Sequence, residues 1–113
     1  MLIAITSCGN GLESAFDERF GRAAFFVVYD TETKQIQVVD NNENVNAAQG
    51  AGIQSAQNII KLGVQHLITG HCGPKAFPVL TAGGVSIYYS ESATVKDALD
   101  AFIAGKLSKA NIA

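Results

Sequence analysis

Hydrophobic residues recur along this chain in short runs that are separated by turn-forming residues. Residues 1–6 are almost all apolar, which predicts a strand buried on both faces. Residues 24–30 are β-branched and aromatic and predict a second strand. The connection 30–34 has the length of a hairpin turn and leads into residues 35–39, where apolar and polar positions partly alternate. We therefore expect the second and third strands to pair antiparallel.

The spacing of apolar residues changes to a helical period after the third strand. Asn46 and Gln49 have the spacing of a capping box, and the helix that they begin should end at Gly63. Residues 64–69 and 85–89 then predict the fourth and fifth strands.

Two more helices are expected in the second half of the chain. Pro74 suits the first turn of a helix that Pro78 should keep short or kinked. The last helix has the clearest signals, because Thr94 and Asp97 mark its start and Gly105 its end.

The predicted order is βββαβαβα, which specifies an α/β fold. Hairpin-linked strands followed by helical crossovers favour a five-stranded mixed sheet in the order 3-2-1-4-5, with helices on both faces. This is the three-layer ribonuclease-H-like arrangement. We expect a single domain over residues 1–105 and a loosely held C-terminal tail at 106–113.

Composition narrows the class of protein. The chain has 113 residues, of which 48% are hydrophobic and 16% charged, as expected for a globular domain. A net charge of −2 without a basic run argues against a nucleic-acid partner. No apolar stretch approaches the ~20 residues of a membrane span, and no secretory signal is recognisable. We therefore expect a cytoplasmic protein, with a monomer favoured.

Candidate metal ligands follow the two central strands of the predicted sheet. Cys8 comes after the first strand, and His71 and Cys72 come after the fourth. Thiolate and imidazole groups suit iron–sulfur clusters, Cu(I) or zinc. The alternative is that both cysteines simply pack in the core, as free cysteines often do. His66 lies at the opposite end of its strand and is excluded from this site.

The same edge of the sheet should attract an anion. Arg19 and Arg22 lie in the loop that covers it, and Gly50, Gly52 and Gly73 lie where backbone N–H groups of two helix starts could approach a ligand.

Each of these residues also has a structural interpretation. The two arginines could instead pair with Asp17 or Glu18, and the glycines could serve close helix–sheet packing.

Several classes of enzyme are not supported by the sequence. Residues 50–55 are one residue short of a dinucleotide-binding G-x-G-x-x-G motif and stand at the wrong place in the fold. The two central strands carry none of the clustered carboxylates that a two-metal nuclease needs. We expect a binding protein rather than an enzyme.

Three motifs together resemble one known family, the dinitrogenase iron–molybdenum cofactor biosynthesis family with its NifX-like domain. The matching segments are F-G-R-A at 20–23, G-A-G-I-Q-S-A at 50–56 and T-G-H-C-G-P-K-A-F at 69–77. The resemblance covers nearly the whole chain.

The resemblance implies a ribonuclease-H-like fold without nuclease activity. It also implies that the protein binds an iron–molybdenum-type cofactor or its iron–sulfur precursor and exchanges it with cluster-donor and cluster-acceptor proteins. Together with the positions of the candidate ligands, this leads us to expect that Cys8 and either Cys72 or His71 hold the cluster, and that Arg19, Arg22 and backbone N–H groups orient it. Three alternatives stay open: a module for a small anion such as a phosphorylated metabolite, a thiol redox protein that joins the two cysteines, and a zinc site.

Overall fold

The structure is a computed structural model that describes residues 1–42 and 51–112. Its strands are β1 (Leu2–Ser7), β2 (Phe25–Asp30), β3 (Ile36–Asp40), β4 (His66–Thr69) and β5 (Ser86–Tyr89). The helices within the described residues are α1 (Ala51–Lys61), α2 (Ala76–Ala82) and α3 (Val95–Ile103). The predicted cap at Asn46 and Gln49, together with Gly50, lies outside the described residues.

The sheet has the predicted order β3-β2-β1-β4-β5. β1 pairs antiparallel with β2, which pairs antiparallel with β3 across the hairpin. β4 lies parallel to both β1 and β5, as crossover helices require. The mixed five-stranded sheet is therefore confirmed.

Helices cover both faces of this sheet and create two apolar cores. On one face, α1 and α2 pack over buried side chains that include Ala4, Phe26 and Leu67. On the other face, α3 packs over Ile3, Ile5, Val27 and Ile68. Consecutive residues of β1 alternate between the two cores because side chains of a strand point to opposite faces in turn. The three-layer arrangement predicted from the sequence is confirmed.

Three helix ends follow the sequence signals. Gly63 and Gly105 have φ of 77° and 74° just after α1 and α3, the left-handed conformation that glycine adopts without strain. Thr94 caps α3, because its side chain accepts a hydrogen bond from the N–H of Asp97 at 3.1 Å.

The start of α2 differs from the prediction. The helix begins at Ala76, and Pro74 lies in the preceding turn. Pro78 occupies the first turn instead, where a missing N–H costs no intrahelical hydrogen bond. The helix spans only seven residues.

Part of the predicted C-terminal tail contacts the sheet. Lys109 forms an antiparallel bridge with Tyr88 of β5, and the N–H of Ala110 donates to the carbonyl of Ile87 at 2.6 Å. Leu107 and Ala110 pack on opposite cores. The tail thus lies along the edge strand β5. Among the described helices, none is long and apolar enough to cross a membrane.

Candidate functional site

Two loops meet at the sheet edge where β1 and β4 end, and their backbones are hydrogen-bonded to each other. The loop after β1 runs alongside the loop after β4 through a parallel bridge between Arg19 and His71. Two hydrogen bonds hold this bridge: His71 N–H donates to the Glu18 carbonyl at 2.7 Å, and Phe20 N–H donates to the His71 carbonyl at 3.2 Å. The sequence prediction that Arg19 and His71 share one edge is therefore reproduced in the structure.

Gly70 makes the close approach of these loops possible. A Cβ atom at Gly70 would lie 2.8 Å from the Cα of Glu18 and 2.9 Å from its carbonyl oxygen. Any larger residue would push the two loops apart. The glycine of the T-G pair in the motif at 69–77 is thus explained by backbone packing.

Asp17 organises the polar groups at this edge. Its side chain is 5% exposed, and its two carboxylate oxygens each accept a hydrogen bond from the Arg19 guanidinium at 3.2 Å. The backbone N–H of Arg19 adds a third bond at 2.9 Å. The Asp17 carbonyl accepts a hydrogen bond from the Thr6 hydroxyl, whose oxygen lies 3.1 Å from the Thr69 hydroxyl at the end of β4 and can accept a hydrogen bond from it. This network fixes the loop on the ends of both central strands.

Cys8 belongs to the same network and is exposed to solvent. Its Sγ lies 3.7 Å from Asp17 Oδ2 and can donate a weak hydrogen bond to it. The pKa of Cys8 is raised, first by burial of its surroundings and then by the charge and hydrogen bond of Asp17, while Arg19 acts in the opposite direction. Free Cys8 is therefore a thiol at neutral pH, and a bound metal would have to displace its proton.

Cys72 reaches the same edge, but its side chain is sealed in the core. The residue is 8% exposed and belongs to the cluster beneath α1 and α2. Burial raises the pKa of the Cys72 thiol to about 12. The expectation that both thiols open onto one surface site is wrong for Cys72. The reason is that the His71 backbone is bridged to the loop after β1, so that the His71 side chain is exposed and the side chain of the next residue, Cys72, faces the opposite side, into the core.

A ready-made metal centre of Cys8, His71 and Cys72 is not formed. Within residues 1–42 and 51–112, no group of three or more His, Cys, Asp and Glu side chains is arranged to hold a metal ion. The exposed candidates at this edge are Cys8 and the imidazole of His71.

The remaining predicted residues divide by what they contact. The Arg19 side chain is 70% exposed although it pairs with Asp17. Pairing with Asp17 and contact with a bound anion are therefore compatible. Arg22 is exposed on the adjacent turn. Gly52 packs against Gly21, and a Cβ atom at Gly52 would lie 3.4 Å from that of Ala76. Its close packing is thus with a loop and with α2, rather than the helix–sheet packing considered as an alternative. Gly73 has open space around it, and its positive φ explains why glycine stands there.

Sequence reasoning missed two residues of this edge. Asp17 was considered only as a partner for the arginines, although it also holds Cys8 and a backbone N–H. Tyr89 was treated as a strand residue, yet its ring centroid lies 6.3 Å from that of His71. The pKa of Tyr89 is raised, first by burial and then by the charge of Cys72. The acidic residue two positions before Arg19 was a usable signal, whereas the contacts of Tyr89 depend on how distant segments meet.

The sequence model of the family described as "Dinitrogenase iron-molybdenum cofactor" matches residues 1–105. This chain belongs to the dinitrogenase iron-molybdenum cofactor family. The match covers all five strands and the three described helices, so the resemblance carried by the three motifs is confirmed.

Two solved structures and one further protein sequence are similar to this member of the dinitrogenase iron-molybdenum cofactor family. The apo form of the orange protein from Desulfovibrio gigas has a TM-score of 0.93 and 42% identity over 97% of this chain and 92% of its own. A Thermotoga protein provisionally assigned as NifB has a TM-score of 0.85 and 40% identity, covering 96% and 91% of the two chains. An uncharacterized protein of Methanocaldococcus jannaschii is 32% identical over 92 residues, which are 80% of this chain and 78% of that protein.

Proposed function

We propose that this protein binds an iron–molybdenum-type cofactor, or its iron–sulfur precursor, as cargo and passes it between proteins during metallocluster assembly. Its role is to bind and release the cluster, without catalysing a reaction. The observation that carries the proposal is one exposed edge, in a member of a family named for this cofactor, that brings together Cys8, Arg19 and His71.

The chemistry of these side chains suits such a cargo. Cys8 and His71 supply sulfur and nitrogen ligands of the kind that iron–sulfur clusters accept. The exposed Arg19 guanidinium supplies positive charge and hydrogen-bond donors for the bridging sulfides of an anionic cluster. Because Asp17 already holds Arg19 and Cys8 in place, little side-chain freedom is lost when the cluster binds.

Exposure of the ligands favours a carrier over a permanent cofactor site. Cys8 and His71 are both exposed, and so the cargo can enter and leave without opening the core. One further observation supports a cofactor-binding role: the orange protein of Desulfovibrio gigas was solved in what is described as an apo form, a term that implies another form with a bound group.

A small-anion module is the second candidate, and the exposed arginines favour it. The seven-residue helix α2 contributes less to this alternative than the sequence suggested, because it starts at Ala76 rather than Pro74. A thiol redox role is less favoured, since the pKa values of Cys8 and Cys72 are both raised and a reactive thiolate is scarce at neutral pH.

The central experiment is anaerobic titration of the purified protein with a synthetic thiolate-ligated iron–sulfur cluster. We expect broad visible absorption in the protein fraction after gel filtration, with iron and sulfide in equal amounts. Cys8→Ser should lower the bound iron, and Arg19→Gln should weaken binding more at low salt than at high salt. Lys61→Gln is the matched control, because this substitution also removes one positive charge, but in the last turn of α1.

Transfer distinguishes a carrier from a cluster enzyme. The loaded protein should give up its cluster to an apo-ferredoxin with free thiols faster than the cluster decays alone. If the parent binds no cluster, or if a Cys8→Ser, Cys72→Ser double variant binds as much iron as the parent, the proposal is wrong. Stabilisation by inorganic phosphate without any metal uptake would favour the small-anion module instead.

A further inference from the structure

The core cluster that contains Cys72 is contacted by two segments from distant parts of the chain. Tyr89, at the end of β5, packs on the core cluster that contains Cys72. The pKa of Tyr89 is raised first by burial and then by the charge of Cys72, as expected for two side chains of the same cluster. Ala110 of the C-terminal tail packs against the same cluster. The end of β5 and the tail thus both pack against the cluster that buries Cys72.

The tail is connected to β5 by three contacts. Lys109 bridges Tyr88, and Ala110 N–H donates to the Ile87 carbonyl at 2.6 Å. At the far end, the Tyr89 hydroxyl donates to the carbonyl of Ile112 at 3.1 Å. Tyr89 therefore links the loop that carries Cys72 to the end of the described chain.

These contacts are of the kind that opens easily. Residues 107–112 are half-buried or exposed throughout, the Tyr89–Ile112 hydrogen bond is exposed, and Ile112 itself is 73% exposed. Segments with few buried apolar contacts and exposed backbone bonds open at a small fraction of the cost of global unfolding. The sheet and α2 do not have to move for the tail to leave.

We propose that residues 107–112, which we name the C-terminal strap, control access to the Cys72 thiol by holding Tyr89 over it. With the strap closed, Cys72 is sealed and the edge offers Cys8 and His71. With the strap released, Tyr89 can swing outward, and Cys72 becomes available on the same loop as His71. Released Cys72 would give a bound cluster a second sulfur ligand. This part of the inference rests on the proposed function.

The strap is tested without any cluster, by measuring how fast Cys72 is alkylated in native protein. All variants carry Cys8→Ser, so that Cys72 is the single thiol. Truncation after Asn111 removes the carbonyl that Tyr89 contacts, truncation after Lys106 removes the whole strap, and Tyr89→Phe removes only the hydroxyl. Tyr88→Phe is the matched control, since the Tyr88 ring lies on the opposite face against Phe102.

We expect Tyr89→Phe and truncation after Asn111 to accelerate alkylation by about two- to tenfold, the range that loss of one hydrogen bond gives in an opening equilibrium. Truncation after Lys106 should have a larger effect, and Tyr88→Phe should leave the rate unchanged. Equal alkylation rates in the parent, the Tyr89→Phe variant and the protein truncated after Asn111 would contradict the proposal that the strap controls access to Cys72. Circular dichroism verifies that each variant is folded, and the two mildest variants decide the question if the longest truncation unfolds.

The strap and the proposed function fail in different ways. Faster alkylation of the truncated proteins with no iron uptake by any variant supports the strap and contradicts the carrier. Iron uptake with an alkylation rate that is independent of Tyr89 and the tail supports the carrier and contradicts the strap.

Discussion

The backbones of Gly21 and Gly52 are in direct contact, because a Cβ atom on Gly21 would lie 2.9 Å from both the Cα and the N of Gly52. One glycine comes from the loop that carries Arg19 and Arg22, and the other from the first turns described for α1. Two of the three sequence motifs are therefore in contact through these glycines. This contact sets the distance between the arginine loop and the helix beside it.

Substitution of Gly21 by alanine should destabilise the fold. The added methyl group collides with backbone, which cannot rotate away as a side chain can, and overpacking of this kind costs about 1–3 kcal/mol. Urea unfolding of Gly21→Ala measures the loss. Gly11→Ala is the matched control in the same loop, because open space surrounds Gly11 and its φ is not in the left-handed region. Equal stability of the two variants would contradict the contact.

The Thr94 cap makes a second stability prediction. Thr94→Ala leaves the N–H of Asp97 without its side-chain acceptor and should cost about 1 kcal/mol. Thr94→Ser keeps a hydroxyl at the same place and should retain most of the stability. Thermal unfolding of the two variants tests this, and a loss of the same size in both would assign the effect to the methyl group rather than the cap.

The sequence predicted the fold almost completely because its signals are local. Strands, helix ends and strand order follow from periodicity, from Thr94, Gly63 and Gly105, and from the rule that parallel strands need crossovers. Side-chain direction after the last strand residue does not follow from those signals. Cys72 faces the core although it directly follows the exposed His71, an arrangement that the sequence permits but does not require.

The candidate site was predicted in position but not in detail. Cys8, Arg19 and His71 were assigned to the correct edge because strand ends converge there. The network around Asp17 and the cover provided by Tyr89 depend on contacts between residues far apart in the chain. Periodicity carries no information on such pairs, and so both were missed.

Burial of Cys72 should make stability depend on pH in the alkaline range. The pKa of this thiol is raised from 9.0 to about 12 by burial, so between these values the unfolded chain loses a proton that the folded protein keeps. Fewer protons bound in the unfolded state mean that the free energy of unfolding falls as pH rises, by at most about 1.4 kcal/mol per pH unit from this group. Cys72→Ala should therefore show a shallower decline than the parent in urea unfolding from pH 8 to 10.5. Equal slopes would show that the thiol ionises freely in the folded state, and Cys8→Ser serves as the control for an exposed cysteine.

Asp17 and Arg19 should move the reactivity of Cys8 in opposite directions. After burial, the charge and hydrogen bond of Asp17 raise the pKa of Cys8, whereas the charge of Arg19 lowers it. In a Cys72→Ser background, Asp17→Asn should lower this pKa and speed alkylation at pH 8 several-fold, because the thiolate is the reacting species. Arg19→Gln removes the nearby positive charge and should slow the reaction. Rates measured from pH 7 to 10 separate a shifted pKa, which moves the midpoint, from a change in exposure, which scales the whole profile. If Asp17→Asn and Arg19→Gln both react faster, the network only shields Cys8 from solvent, and Asp17 does not set the pKa of its thiol.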